Sequence, residues 1–140
     1  MASVKLGLNQ IQLINTLDAV SGVGAKDCVV SGDAVVFLVP ENKIRQAIGK
    51  NGAMIEKIKK MLGKRVELFE YSPEPEGFFR KAFFRARIEK VEIGEKNGEK
   101  IALINADNTN KKIILQNIGR LKKIKELAKR NYGIEEVRVR

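Results

Sequence analysis

The chain has 140 residues, 44% of them hydrophobic, and carries 27 lysines and arginines against 17 aspartates and glutamates. That length supports one ordinary domain or two very small ones with a real core and argues against intrinsic disorder, while the basic surplus favours polyanionic partners. With no His, a single Cys (Cys28) and no Trp, the chain cannot build a Cys/His zinc cluster, a Cys-His or Ser-His catalytic pair, or an internal disulfide.

Leu8, Ile11, Ile14, Leu17 and Val20 recur at helical spacing and predict an amphipathic helix that ends near Ser21-Gly22. Asp27–Ser31 and Ala34–Val39 are Val-rich runs separated by Gly32-Asp33, the pattern of an antiparallel hairpin. Pro40, with Glu41 beside it, is expected to open a helix that buries Ile44, Ala47 and Ile48 and breaks at Gly49-Lys50-Asn51-Gly52. Met54, Ile55, Ile58, Met61 and Leu62 form the stripe of the next helix, with Gly63 as its left-handed cap, and residues 65–71 read as a third strand.

Ser72-Pro73-Glu74-Pro75-Glu76-Gly77 is the one Pro-rich stretch and predicts a stiff connector. It divides the chain into a first module at 1–72, a linker at 73–77 and a second module at 78–140. After it the pattern begins again: a short helix at 78–84, strands at 86–93 and 100–106 around Asn97-Gly98, helices at 109–118 and 121–132, and a strand at Ile134–Val139. Ile48-Gly49 recurs as Ile118-Gly119, 70 positions on, and Gly63 and Ile44 recur as Gly133 and Ile114 at the same shift. The terminal strands align only with a slip of one residue.

The positive charge is concentrated in residues 41–70, with eight basic against four acidic residues, and in 111–140, with ten against three. The opening Met-Ala-Ser-Val-Lys-Leu-Gly lacks the pattern of a leader, and the longest apolar run, 34–40, is far short of a membrane span. The expectation is a soluble, cytoplasmic, monomeric protein without membrane contact. A lone cysteine suits a reducing compartment.

The informative segment is Ile48-Gly49-Lys50-Asn51-Gly52-Ala53-Met54-Ile55, a glycine-bracketed tetrapeptide between two helices with apolar residues at fixed offsets. Two glycines allow a sharp turn and let a sugar-phosphate strand approach closely. Amides at the start of the next helix then face the phosphates with a dipole of favourable sign. Lys50 adds a mobile cation, and Asn51 can donate and accept at the tip.

This segment resembles the K-homology (KH) family, whose I-G-x-x-G-x-x-I signature is matched by Ile48, Gly49, Gly52 and Ile55. The order helix, strand, strand, helix, helix, strand is similar to the type II version of that fold. The resemblance implies a loop that grips about four nucleotides of a single strand, with Lys43, Ile44, Ile48, Gly49, Lys50, Asn51, Gly52 and Ile55 as the RNA-contacting residues. Ile44, Ile48 and Ile55 would line the apolar groove for the bases. In the second half Gly119, Arg120, Lys122 and Lys123 take the corresponding place, but Lys122 replaces the second glycine, so this loop is expected mainly to supply charge.

Two such modules in one chain resemble the archaeal NusA-like transcription factors over nearly the whole length. That implies an α+β protein of two tandem type II KH modules, each packing helices on one face of a three-stranded sheet. It implies single-stranded RNA, the nascent transcript, as partner in transcription elongation or termination control, with no metal, cofactor or catalysed reaction. RNA polymerase is a further partner on the same ground, although bacterial relatives carry an extra polymerase-binding region that this sequence lacks.

Other readings stay open. Gly49 and Gly52 could form only a tight interhelical turn. Residues 43–48 and 54–62 could be a DNA-binding helix-turn-helix, which a strand directly after the second helix argues against. The same modules could also serve a ribosome-associated or RNA-processing protein. The basic run Lys57, Lys59, Lys60, Lys64, Arg65 could be a solvated face. Phe78, Phe79, Phe83 and Phe84 are expected to pack in a core rather than to stack on bases, and Cys28 to be a small buried hydrophobe.

Overall fold

In the computed structural model, which describes residues 4–140, helix α1 (Leu8–Ser21) stops where Gly22 turns left-handed at φ 75° and returns its amide to the Asp18 carbonyl. Only the later part of its predicted stripe is covered: Leu17 is fully buried with Leu13, Ile14 and Val20 packed around it, whereas Leu8 and Ile11 are exposed. Strands β1 (Asp27–Ser31) and β2 (Ala34–Val39) pair antiparallel about Gly32. Strand β3 (Arg65–Glu70) adds parallel to β2, which makes β2 the central strand, buried at every position. Val35, Phe37 and Val39 alternate onto one face, where they form a core with Cys28, Val66, Leu17, Val23, Ala47 and Ile58.

Between β2 and β3 lie two helices, α2 (Ile44–Ile48) and α3 (Ala53–Leu62). Pro40 does not open α2. Its carbonyl accepts from the Lys43 amide at 3.2 Å, closing a turn in which Asn42 takes φ 63°, so helical geometry begins only at Ile44. The apolar stripe of α3 buries Ile58 and half-buries Ile55 and Leu62, but leaves Met61 in solvent. Gly63 caps it at φ 63°.

The chain divides between Ser72 and Pro73 into two units, Lys5–Ser72 and one containing Pro73–Arg140. Residues 1–3, part of the first predicted module, lie outside the described residues. Residues 73–77 are not a linker throughout: Pro75 begins α4 (Pro75–Ala82), in the first turn where its missing N–H costs no helical bond. Phe78, Phe79 and Phe83 are buried, with Phe78 5.3 Å from the Tyr132 ring and 5.4 Å from Phe79.

The predicted strand at 86–93 is displaced. Residues 86–89 form no strand: the Ala86 amide donates to Phe83, that of Arg87 to Asn110 Oδ1 and that of Glu89 to Asn105, while the Arg80 guanidinium donates to the carbonyls of Ile88 (2.7 Å) and Glu89 (3.3 Å). Strand β4 (Lys90–Lys96) follows and pairs antiparallel with β5 (Glu99–Asn105) around Asn97 (φ 54°) and Gly98 (φ 79°), the two positive φ angles that a type I′ hairpin requires. Helices α5 (Asn108–Gln116) and α6 (Ile118–Tyr132) lead to β6 (Ile134–Val139), parallel to β5.

Each unit thus has the order helix, strand, strand, helix, helix, strand and a three-stranded sheet with its second strand in the middle. Lys100 pairs with Ile134 but Ile101 with Glu136, so β6 holds one extra residue that β3 lacks. That irregularity accounts for the one-residue slip between the terminal strands. Among the described residues no helix is long and apolar enough to cross a membrane.

Candidate nucleic-acid interface

The turn between α2 and α3 is anchored from below. Ala47 is fully buried, Ile44 and Ile55 are packed half-buried against the core, and Gln46 Nε2 donates to the Ser21 carbonyl at 3.1 Å, tying α2 to the end of α1. Ile48 is half-buried, and Lys43, Lys50 and Asn51 are exposed. The eight residues predicted for the first module therefore fall on one segment, in which Ile44 and Ile55 pack half-buried against the core, Ile48 is half-buried, and Lys43, Lys50 and Asn51 face water.

Three successive departures from helical geometry build the turn. Gly49 adopts φ 79°, ψ 170°, a region open almost only to glycine. Asn51 (φ 56°, ψ 28°) and Gly52 (φ 76°, ψ 14°) are both left-handed. The two glycines differ in surroundings. A Cβ on Gly49 would lie 2.6 Å from Met54 Cγ and 2.8 Å from the Met54 nitrogen, whereas a Cβ on Gly52 would meet only Ile55 Cγ2, at 3.9 Å. Gly49 is thus required by internal packing, and Gly52 is the glycine with room beside it.

The amides divide in the same way. That of Gly49 donates to Arg45 (2.9 Å), that of Gly52 to Gly49 (3.1 Å), and that of Ala53 to Lys50. Main-chain donation to a ligand is therefore narrower than the expected row of amides. Among the described residues of the turn it falls to Lys50 and Asn51, beside the Lys50 ammonium and the Asn51 side chain.

The corresponding stretch of the second unit is not a loop. Asn117 alone separates α5 from α6: its Oδ1 accepts from the Arg120 amide at 3.2 Å and its carbonyl from the Leu121 amide at 3.0 Å. Gly119, Arg120, Lys122 and Lys123 then all belong to the first turns of α6. The cause is local: lysine at 122 is poorly suited to the left-handed conformation that Gly52 provides, so helix replaces turn. Lys122 is exposed, but Lys123 is buried, and Arg120 is half-buried with its Nε donating to the Ala82 carbonyl at 2.9 Å. Of the three cations expected there, Lys122 alone is exposed on the helix surface.

Acidic neighbours also temper the basic run after α3. Arg65 forms a bidentate pair with Asp33, with Nη2 3.0 Å from Oδ1, and this pair holds the guanidinium pKa above its ordinary value. Lys59 pairs with Glu56 at 3.2 Å, while Lys57, Lys60 and Lys64 are exposed. In the second unit Asp107 caps α5, and hydrogen bonds from the Asn110 amide and then its side chain hold the carboxyl below the usual range. Among the described residues no group of three His, Cys, Asp or Glu is placed to hold a metal ion. Phe84, grouped above with three core phenylalanines, is 63% exposed. It lies two residues past the end of α4 and one past the last buried ring, where the helical spacing that buries the others no longer holds.

Comparison with known proteins gives four matches. Residues 14–101 match the KH domain family. The chain is 30% identical over 135 residues to a protein of Halococcus morrhuae named probable transcription termination protein NusA, covering 96% of each. It is 26% identical over 140 residues to one of the same name from Methanocaldococcus jannaschii, covering 99% of this chain and 76% of that one. Among solved structures, the crystal structure of a protein designated APE1850 superposes with a TM-score of 0.89 at 28% identity, over 96% of this chain and all of that one. On the match of residues 14–101 and the likeness to the Halococcus protein along nearly its whole length, the chain belongs to the KH domain family.

Proposed function

We propose that the chain is a NusA-like RNA-binding factor of two tandem type II KH modules that holds single-stranded RNA, the nascent transcript, during transcription elongation or termination. The observation that carries this reading is the turn at Gly49–Gly52, held by packing from the core side and open at Gly52, with Lys50 and Asn51 in solvent. A phosphate fits there because the turn presents a mobile ammonium, two amides and an amide side chain with no Cβ at Gly52 to keep it away. Bases of the same strand would lie against the half-buried Ile44, Ile48 and Ile55. The family match and the names of the relatives support the RNA partner and the transcriptional role.

On this reading the second unit departs from the first: its α5–α6 joint has no clamp, and its contribution is cationic. The protein acts by binding and catalyses no reaction, works in the cytoplasm as a monomer, and takes RNA polymerase as its second partner. The test is a competition titration of single-stranded RNA, single-stranded DNA and duplexes of equal length against a labelled RNA strand. Single-stranded RNA should compete best, and Gly52→Asp, which sets an anion where the phosphate would lie, should abolish that preference with the melting temperature nearly unchanged. Tighter binding of duplex DNA, or full RNA affinity in Gly52→Asp, would overturn the reading.

A further inference from the structure

We propose that the second unit holds a nucleobase-stacking site at Phe84, flanked by Arg85 and Arg120, that takes one base of a single-stranded RNA together with an adjoining phosphate. The inference rests on the single-stranded RNA reading above and adds a second, chemically different contact to it. Of the four phenylalanines in this segment, three are buried and Phe84 is left 63% exposed. An exposed phenyl ring forgoes burial of a large apolar surface, the chief favourable contribution that such a side chain makes.

The ring is attended by two cations. The Arg120 guanidinium lies 4.8 Å from its centroid and that of Arg85 lies 5.4 Å away, both within cation–π range. Arg120 is fixed there, because its Nε donates to the Ala82 carbonyl at 2.9 Å. An aromatic face and a fixed planar guanidinium are the two surfaces on which unpaired bases stack, and a second arginine beside them suits a phosphate. The surrounding sequence agrees in charge, with Lys81, Arg85 and Arg87 on one segment and Arg120, Lys122 and Lys125 on the other; Arg80, paired with Glu76, and the buried Lys123 are committed within the protein. A base within a duplex has no free face to offer the ring, so the site selects single strands. Arg120 stands 70 positions after Lys50; where the first unit offers an open turn, the second offers a stacking platform.

Because the chain has no tryptophan and two tyrosines, Phe84→Trp creates a single tryptophan at the proposed contact, which red-edge excitation addresses without the tyrosines. Titrating it with an oligoadenylate of about 12 nucleotides should quench its emission, and an abasic strand of the same length should not. Phe84→Ala should weaken oligoadenylate binding by about fivefold to about a hundredfold, with the melting temperature unchanged because the ring is exposed. Quenching that persists when Gly52→Asp is added would support a contact separate from the clamp. Unchanged affinity in Phe84→Ala, or tryptophan emission indifferent to an oligoadenylate that the wild type binds, would overturn the stacking site and leave the RNA reading standing. Failure of the wild type to bind any single strand would overturn both.

Discussion

Replacing each loop glycine in turn should separate folding from binding, because the two occupy different surroundings. At Gly49 an alanine meets two costs. Its backbone at φ 79°, ψ 170° lies in a region that costs a side chain about 1–3 kcal/mol. Its Cβ would also sit 2.8 Å from the Met54 nitrogen, a main-chain atom that cannot swing aside, which adds overpacking of about 1–3 kcal/mol. The sum of roughly 2–6 kcal/mol corresponds to a fall of about 10 °C or more in the melting temperature of a unit this size. At Gly52 the nearest atom is 3.9 Å from the added Cβ, so Gly52→Ala bears only the left-handed cost of about 1–2 kcal/mol. Asparagine and aspartate tolerate that conformation better still, as Asn51 already does at φ 56°. Thermal unfolding followed by circular dichroism should therefore rank Gly49→Ala lowest, Gly52→Ala above it and Gly52→Asn near wild type. RNA anisotropy should rank Gly52→Asp weakest, with Gly52→Asn between it and wild type. Melting of Gly49→Ala within a few degrees of Gly52→Ala would refute the packing argument.

The remaining expectations concern charge. If the interface neutralises about four phosphates, the log-log dependence of single-stranded RNA affinity on salt should have a slope near −3; a slope near zero would remove the electrostatic contribution. Lys122→Asp should weaken binding and flatten that slope with little change in melting temperature, whereas Lys123→Asp should lower the melting temperature, because Lys122 is exposed and Lys123 is buried. Equal effects of the two on stability would contradict the assignment. Asp107, whose carboxyl is held low by the Asn110 amide and side chain, stabilises the fold when ionised. That stabilisation is present above the unfolded value of about 3.9 and is lost as pH falls through the lower folded value. The gap in melting temperature between wild type and Asp107→Ala should accordingly be open at neutral pH and close in acid; a gap that stays constant down to about pH 2 would exclude the carboxylate as its source.

The features that set the fold are local ones and could be read directly. Alternating and Val-rich runs placed β1, β2, β5 and β6 within a residue or so, and left-handed glycines placed the ends of α1, α3 and α6. The misreadings arose where a local rule met a competing contact. Pro40 suits a helix start, yet Asn42 at φ 63° delays it. Residues 86–89 have strand composition, yet the Arg80 guanidinium takes the Ile88 and Glu89 carbonyls instead. The loop motif itself was legible as a turn, but not the division of labour within it: that Gly49 closes against Met54 while Gly52 keeps room beside it depends on atoms brought together only by the path of α3. Nor could spacing reveal that Lys123 points inward or that Phe84 is left outside.

The contrast between the two joints follows from one backbone conformation. A four-residue turn between consecutive helices needs left-handed residues at its end, and Gly52 supplies one at no steric cost. Lysine in that conformation would cost about 1–2 kcal/mol, comparable with what an extra helical turn gains from its hydrogen bonds and the Asn117 cap. The second unit therefore starts α6 at Ile118, directly after Asn117, and this early start brings Arg120 to the end of α4, within reach of the Ala82 carbonyl and the Phe84 ring. Loss of the open turn and gain of the arginine–aromatic pair are thus one structural event.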